Sequence, residues 1–257
     1  MIILLSPAKS LDFKSPAKTL FHTQAVFSKE ADLIAGVLRK YSIKQLAGLM
    51  DISSELASLN YDRYQNWQSG SEINPSKQAI YAYTGDVYQG IRIQDWGAEK
   101  LDFGQKHIRI LSGLYGYLRP LDLIKPYRLE MGTALEVKSS ESLYAFWKKR
   151  ITDQIKKEMI ANNSDLIINL ASKEYANAVD FKKLGAKVVS PHFLDHKNGT
   201  YKMISFFAKR ARGLMTSYIC DQQITDENHL ISFYNEGYCY NSEKSTDLKP
   251  VFTRIQQ

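Results

Sequence analysis

Between Leu111 and Thr133 the chain reads LSGLYGYLRPLDLIKPYRLEMGT, and this run constrains the fold more than any other stretch. Gly113, Gly116 and Gly132 loosen the backbone, Pro120 and Pro126 stiffen it, and Arg119, Arg128 and Glu130 add fixed charge at intervals that fit neither a helical nor a strand period. No single helix or strand can carry such a run. It must loop across a scaffold supplied by its flanks, and its density of Arg, Pro and aromatic residues is that of a segment built around a site.

The flanks predict the scaffold. Met1 to Leu5 has the continuous apolar character of a buried strand, ended by Ser6 and Pro7. From Ser28 to Trp67 the apolar residues Ala31, Ile34, Ala35 and Leu38, then Leu46, Leu49 and Met50, then Leu56, Leu59 and Tyr64 mark three short helices. Asn74-Pro75 predicts the start of another helical stretch, and Asp102 to Ser112 leads into a strand at Ile108 to Leu111. In Ser142 to Ile160, Leu143, Trp147, Ile151, Ile155 and Met159 recur every four residues, which predicts a helix with Trp147 in the core. Buried strands are expected at Leu166 to Leu170 and Lys187 to Ser190, separated by a short helix over Ser172 to Ala178. Asn198-Gly199 between apolar runs signals a hairpin over Phe193 to Tyr201. A helix over Ala208 to Asp221 and strands at Phe233 to Tyr240 and Val251 to Arg254 complete an α/β pattern. The expectation is one compact domain over residues 1–257, with a mixed sheet and an inserted helical segment at about residues 28–67. At 44% hydrophobic side chains, the 257 residues can bury one large core.

Several function classes fall away. Nothing approaches the ~18 apolar residues of a membrane span, and Ile2 to Leu5 is too short for a signal-peptide core, so a cytoplasmic protein without membrane partners is expected. Cys220 and Cys239 form no C-x-x-C pair, which argues against a disulfide framework or a zinc site. His192, Asp195 and His196 straddle a strand end and turn without the spacing of a helical metal motif, and are read as turn residues; no metal and no cofactor is assigned. Thr84 to Gly90 (TGDVYQG) carries two glycines but neither a phosphate loop nor a G-x-G-x-x-G fingerprint.

Charge points to an anionic partner. Residues 138–213 carry 15 Lys and Arg against 7 Asp and Glu, whereas residues 1–137 balance at +2 and residues 214–257 at −3. One third of the chain therefore holds the whole excess of +7, including Lys148 and Lys149 on the amphipathic helix. Such a region suits nucleic acid or another polyanion, because neutralising phosphates releases counterions. Lys209, Arg210 and Arg212 are expected in the first turns of the last helix, where cations oppose the helix dipole unless something negative binds. Lys9 and Asp12 follow the first strand, where open α/β sheets place ligand-contacting loops; Lys9 could hold phosphate or act as a nucleophilic amine oriented by Asp12.

These segments, SPAKSLDF (6–13), TGDVYQG (84–90), INLAS (168–172), FFAKRARGLM (206–215) and the run from Leu111, closely resemble the YaaA family of bacterial peroxide-stress proteins, in family order and from Met1 to about Phe252. The resemblance implies a role in surviving hydrogen peroxide by limiting oxidative DNA damage and intracellular free iron, with DNA binding through a helix-hairpin-helix element. The stretch LMDISSELA (49–57) is similar to that hairpin, although Asp51 and Ser53 stand where it usually has glycines. On the residues alone an ordinary helix–turn–helix with Asp51 or Ser53 as N-cap is the better reading, and only the family resemblance tips the balance toward a DNA-binding hairpin. The candidate DNA contacts are Lys44, Met50, Asp51, Ile52, Ser53, Ser54, Lys148 and Lys149, with duplex, branched or distorted DNA as the partner. The alternative is an enzyme acting on a phosphate-bearing or nucleobase substrate. Its anion pocket would draw on Lys9, Asp12, Asp86, Tyr88, Ser112, Tyr115, Arg119, Arg128, Lys209 and Arg212.

Overall fold

The computed structural model describes residues 1–67 and 75–255. The first strand, β1 (Ile2–Leu5), is buried along its whole length and lies at the centre of a five-stranded sheet. To one side it pairs in parallel with β2 (Ile108–Ser112), Ile3 opposite Ile108, and β2 turns back antiparallel into the edge strand β3 (Gly116–Leu118). To the other it pairs in parallel with β4 (Leu166–Asn169), Ile3 opposite Ile168, and β4 pairs in parallel with β5 (Lys187–Val189). The order β3-β2-β1-β4-β5 makes a mixed sheet in an α/β fold. The chain builds one half of this sheet before crossing to the other, so the carboxyl end of β1 is a topological switch point, where open sheets leave a crevice.

A second sheet adjoins the first, ordered β7-β6-β9-β8 from β6 (His192–Lys197), β7 (Thr200–Lys202), β8 (Cys239–Tyr240) and β9 (Val251–Ile255). The hairpin between β6 and β7 turns at Asn198 and Gly199, with φ of 54° and 75°, the left-handed pair that matches strand twist. The strand expected over Phe233 to Tyr240 is confined to Cys239–Tyr240. Glu236 and Gly237, at φ 45° and 81°, reverse the chain just before it. Phe193, Phe233, Tyr238 and Phe252 fill the face of this sheet with edge-on and stacked rings, continuous with the core around β1.

Seven α-helices of six or more residues surround these sheets within the described residues. Three form the segment after the first loop: α1 (Ser28–Leu38), α2 (Ile43–Met50) and α3 (Ser54–Gln65). A capping box between Ser42 and Gln45 starts α2, and Ser53 caps α3. Then come α4 (Asp86–Ile91), α5 (Ala98–His107), α6 (Leu143–Ala161) and α7 (Ser205–Asp221). Ser142 caps α6, whose Trp147 is fully buried and donates its indole N–H to the carbonyl of Gly113 at 2.8 Å. The helix expected at Asn74-Pro75 differs: Asn74 lies outside the described residues, and Pro75 precedes a two-residue strand, Lys77–Gln78, and a single turn, Ala79–Ala82. Among the described residues no helix is long and apolar enough to cross a membrane.

The helices α4 and α7 pack backbone against backbone. A Cβ on Gly213 would fall 1.8 Å from the Val87 carbonyl oxygen, and one on Gly90 would fall 2.3 Å from that of Arg210. Only two facing glycines allow these backbones to touch.

Candidate functional site

The loops leaving β1, β2 and β4 meet at the switch point. Ser6 Oγ accepts the Ser172 amide at 2.9 Å and donates to Ser172 Oγ at 3.3 Å, joining the loop after β1 to the loop after β4. The Tyr88 hydroxyl donates to the Ser6 carbonyl at 3.0 Å and brings α4 against the same loop. Gly113, at the end of β2, lies so close to the chain beyond that a Cβ would sit 2.4 Å from the Leu129 carbonyl. That contact fixes Arg128 and Glu130 beside the loop of Lys9. The result is a cavity of ≈ 340 Å³ bounded by residues 6–10, 84–88 and 127–130, by Ser172, Glu174 and Tyr175 and, on α7, by Lys209 and Arg212.

The cavity wall is aromatic. Tyr88, Tyr127 and Tyr175 line it. The Tyr127 hydroxyl lies 2.6 Å from both Ser112 Oγ and the Tyr83 hydroxyl, and burial pushes it up to about 12. Burial likewise raises Tyr88 and Tyr175 above the usual phenol range, so all three stay neutral and can donate hydrogen bonds at physiological pH.

Charge inside the cavity is partly compensated. Glu130 bridges Lys9 Nζ at 2.8 Å and Arg128 at 3.3 Å, while Glu174 accepts the Gly132 amide at 2.9 Å. Lys209 and Arg212 are left without an ion pair among the described residues, and one further polar atom lacks a partner. Arg128 Nε is buried without a hydrogen-bond partner, and Arg212, half-buried on α7, makes no ion pair among the described residues; desolvation lowers its pKa. An unpaired, partly buried guanidinium is unfavourable by itself and becomes favourable when an anion arrives.

Arg212 and Lys209 also face the other way. With Ser172 they form the wall between this cavity and a larger trough of ≈ 710 Å³ that runs past Lys148, Lys173, His192 and Lys249. Five cations line the trough and no carboxylate does, and among the described residues none of the five is ion-paired. The trough follows from the fold: α6 contributes Lys148, the turn after β4 contributes Lys173, α7 contributes Lys209 and Arg212, and the approach to β9 contributes Lys249.

Of the residues expected in an anion pocket, Lys9, Asp86, Tyr88, Arg128, Lys209 and Arg212 line the cavity. Four do not. Asp12 turns outward, accepting the amides of Lys14 and Ser15, and these bonds with the Ser15 hydroxyl hold its carboxyl down to about 2. Ser112 and Tyr115 are buried beneath the site, with the Tyr115 hydroxyl accepting the Lys125 amide. Arg119 folds back onto Asp122 at 2.9 Å and the Gln24 carbonyl. The helix expected from Ala208 begins earlier, at Ser205, so Lys209 lies one turn and Arg212 two turns into α7.

The remaining candidates are spread over the surface. On the α2–α3 turn, Asp51 is left-handed at φ 51° and exposed, as are Ser53, Ser54 and Lys44, whereas Met50 is buried and Ile52 packs on the core. Met50 and Ile52 therefore hold the turn from within. Lys148 lines the trough; Lys149 pairs with Asp153 on an exposed stretch of α6. Asp195 is fully buried between the Tyr238 hydroxyl and Arg254, and no cluster of metal-binding groups occurs among the described residues. Cys220 is buried, which pushes its thiol up to about 12, and Cys239 is free.

Sequence reasoning did not single out Tyr127, Glu130, Ser172, Glu174, Tyr175, Lys173 or Lys249 as site residues. Ser172 lies in a motif already noted and Lys173 in the basic third of the chain, but nothing in the acidic C-terminal stretch marks Lys249.

The profile described as peroxide stress protein YaaA matches residues 1–244. A UPF0246 protein of Shewanella denitrificans is 47% identical over 257 residues, all of both chains. UPF0246 proteins of Polynucleobacter asymbioticus and Polynucleobacter necessarius subsp. necessarius are each 46% identical over the same full length. The chain belongs to the YaaA peroxide-stress family.

Proposed function

We propose that this member of the peroxide-stress family limits oxidative DNA damage, and the free iron that drives it, by binding duplex, branched or distorted DNA in the cytoplasm. The observation that supports DNA binding most is the trough: five unpaired cations on one concave surface with no carboxylate among them. Isolated lysines are ordinary surface, but five converging from four elements leave a repulsive field that a phosphodiester strand relieves. The exposed α2–α3 turn, with Lys44, Ser53 and Ser54, is the reading's helix-hairpin-helix element and would add phosphate contacts. The iron effect rests on the family resemblance alone.

Fluorescence anisotropy with duplex and branched oligonucleotides tests this. Engagement of about six phosphates predicts a loss of roughly 10³-fold in affinity between 50 and 200 mM salt. A flat salt response, or no binding at 50 mM, would sink the reading.

A second reading is favoured by a separate observation, the convergence of Lys9, Arg128, Lys209 and Arg212 with three neutral tyrosines at the switch point. Such a cavity suits a phosphate-bearing or nucleobase substrate and an enzymatic role. Lys9→Met removes the charge and keeps most of the side-chain length. If peroxide protection is lost in cells while DNA affinity is unchanged, the cavity performs chemistry of its own; intact protection removes Lys9 from any reaction.

A further inference from the structure

The cavity and the trough are chemically different but share the wall of Ser172, Lys209 and Arg212. We propose that they form one nucleic-acid site, in which the sugar-phosphate strand lies in the trough and a single unpaired nucleotide turns past Arg212 into the tyrosine-lined cavity. This rests on the DNA-binding reading and adds to it the conformation of the bound nucleotide.

Charge segregation carries the argument. A phosphate is welcome along the trough, which has no carboxylate, whereas beyond Arg212 and Lys209 the three carboxylates Asp86, Glu130 and Glu174 outnumber the two cations Lys9 and Arg128, both already paired with Glu130. It therefore stops at Arg212 and Lys209, and what passes inward is the uncharged part, the sugar and base. The interior fits a base: aromatic rings for its faces and carboxylates to accept from exocyclic amines. At ≈ 340 Å³ the cavity is at the small end of ligand pockets, room for one nucleotide. Extracting a base from an intact duplex costs a few kcal/mol, so mismatched, bulged or single-stranded positions should be preferred.

The test uses a 5′-fluorescein-labelled duplex with a central bubble carrying one 2-aminopurine at an unpaired position. Anisotropy reports binding, and acrylamide quenching of 2-aminopurine reports whether the base is enclosed. Bound to the wild-type protein, the base should be quenched roughly fivefold less than in the free oligonucleotide, in keeping with an enclosed, extruded base. Ala8→Phe, which fills the cavity from the loop after β1, should lose the protection and weaken binding by about tenfold, with the salt slope unchanged since the phosphate contacts remain. Independently of any variant, replacing the unpaired nucleotide by an abasic tetrahydrofuran should weaken wild-type binding by about tenfold. Tight binding with a freely quenched base, or equal affinity for the abasic strand, overturns the inference and leaves DNA binding standing. Failure to bind any of these oligonucleotides at 50 mM salt overturns both.

Discussion

Arg212 is the residue on which the site's energetics turn. It is half-buried, without an ion pair among the described residues and two turns inside α7, so the empty protein carries an electrostatic penalty there that a bound anion removes. Arg212→Gln should leave unfolding stability within about 0.5 kcal/mol of wild type or slightly above it, because no ion pair is lost. The same change should lower the salt slope of DNA binding by about one. A large fall in melting temperature would mean that Arg212 is structural after all. Arg119 shows the opposite case. Its company in the Gly- and Pro-rich run points to the site, yet Asp122, three residues on, offers a partner within the same turn and takes it. That local signal was legible, and it should have outweighed the neighbourhood.

At the scale of elements, the glycine contact between α4 and α7 sets the geometry of the cavity, since α4 presents Asp86 and Tyr88 and α7 presents Lys209 and Arg212. Gly213→Ala would put a methyl group on the Val87 carbonyl and should destabilise the protein by about 3 kcal/mol, as overpacking without room to relax does. Gly36→Ala is the control: it lies inside α1 with nothing within 4 Å of its Cβ, and should stabilise by up to about 1 kcal/mol. Denaturant midpoints for the pair measure both. Elements with a strong local pattern were readable beforehand, including β1, α6 with its buried Trp147, the three helices from Ser28 and the Asn198-Gly199 hairpin. The start of α7 was not, because Phe206 is 53% exposed and breaks the apolar stripe on which a helix is recognised. Nor was the placement of β9, which inserts between β6 and β8 by pairing that no local period encodes. The cavity was half legible for the same reason: its residue types drew attention segment by segment, but only the sheet order brings Tyr127, Glu130 and Ser172 to the same place as Lys9.

For the whole molecule, the uneven distribution of charge becomes a surface with direction, the trough. Replacing Lys148, Lys173 and Lys249 together by Gln should reduce the salt slope by about three, whereas Lys149→Gln, already paired with Asp153, should leave it unchanged. Equal effects from the two variants would show that net charge alone matters and that the concave arrangement does not. The central place of β1 has another consequence, in time. Ile3 is held on one side by Ile108 and on the other by Ile168, so the first strand made is among the last to be enclosed. At a translation rate of about 10 residues per second, its second neighbour emerges some 16 s after it. Throughout that interval the nascent chain carries an apolar strand with at least one open edge, which makes early synthesis the stage at which this protein is most exposed to aggregation and most dependent on being shielded.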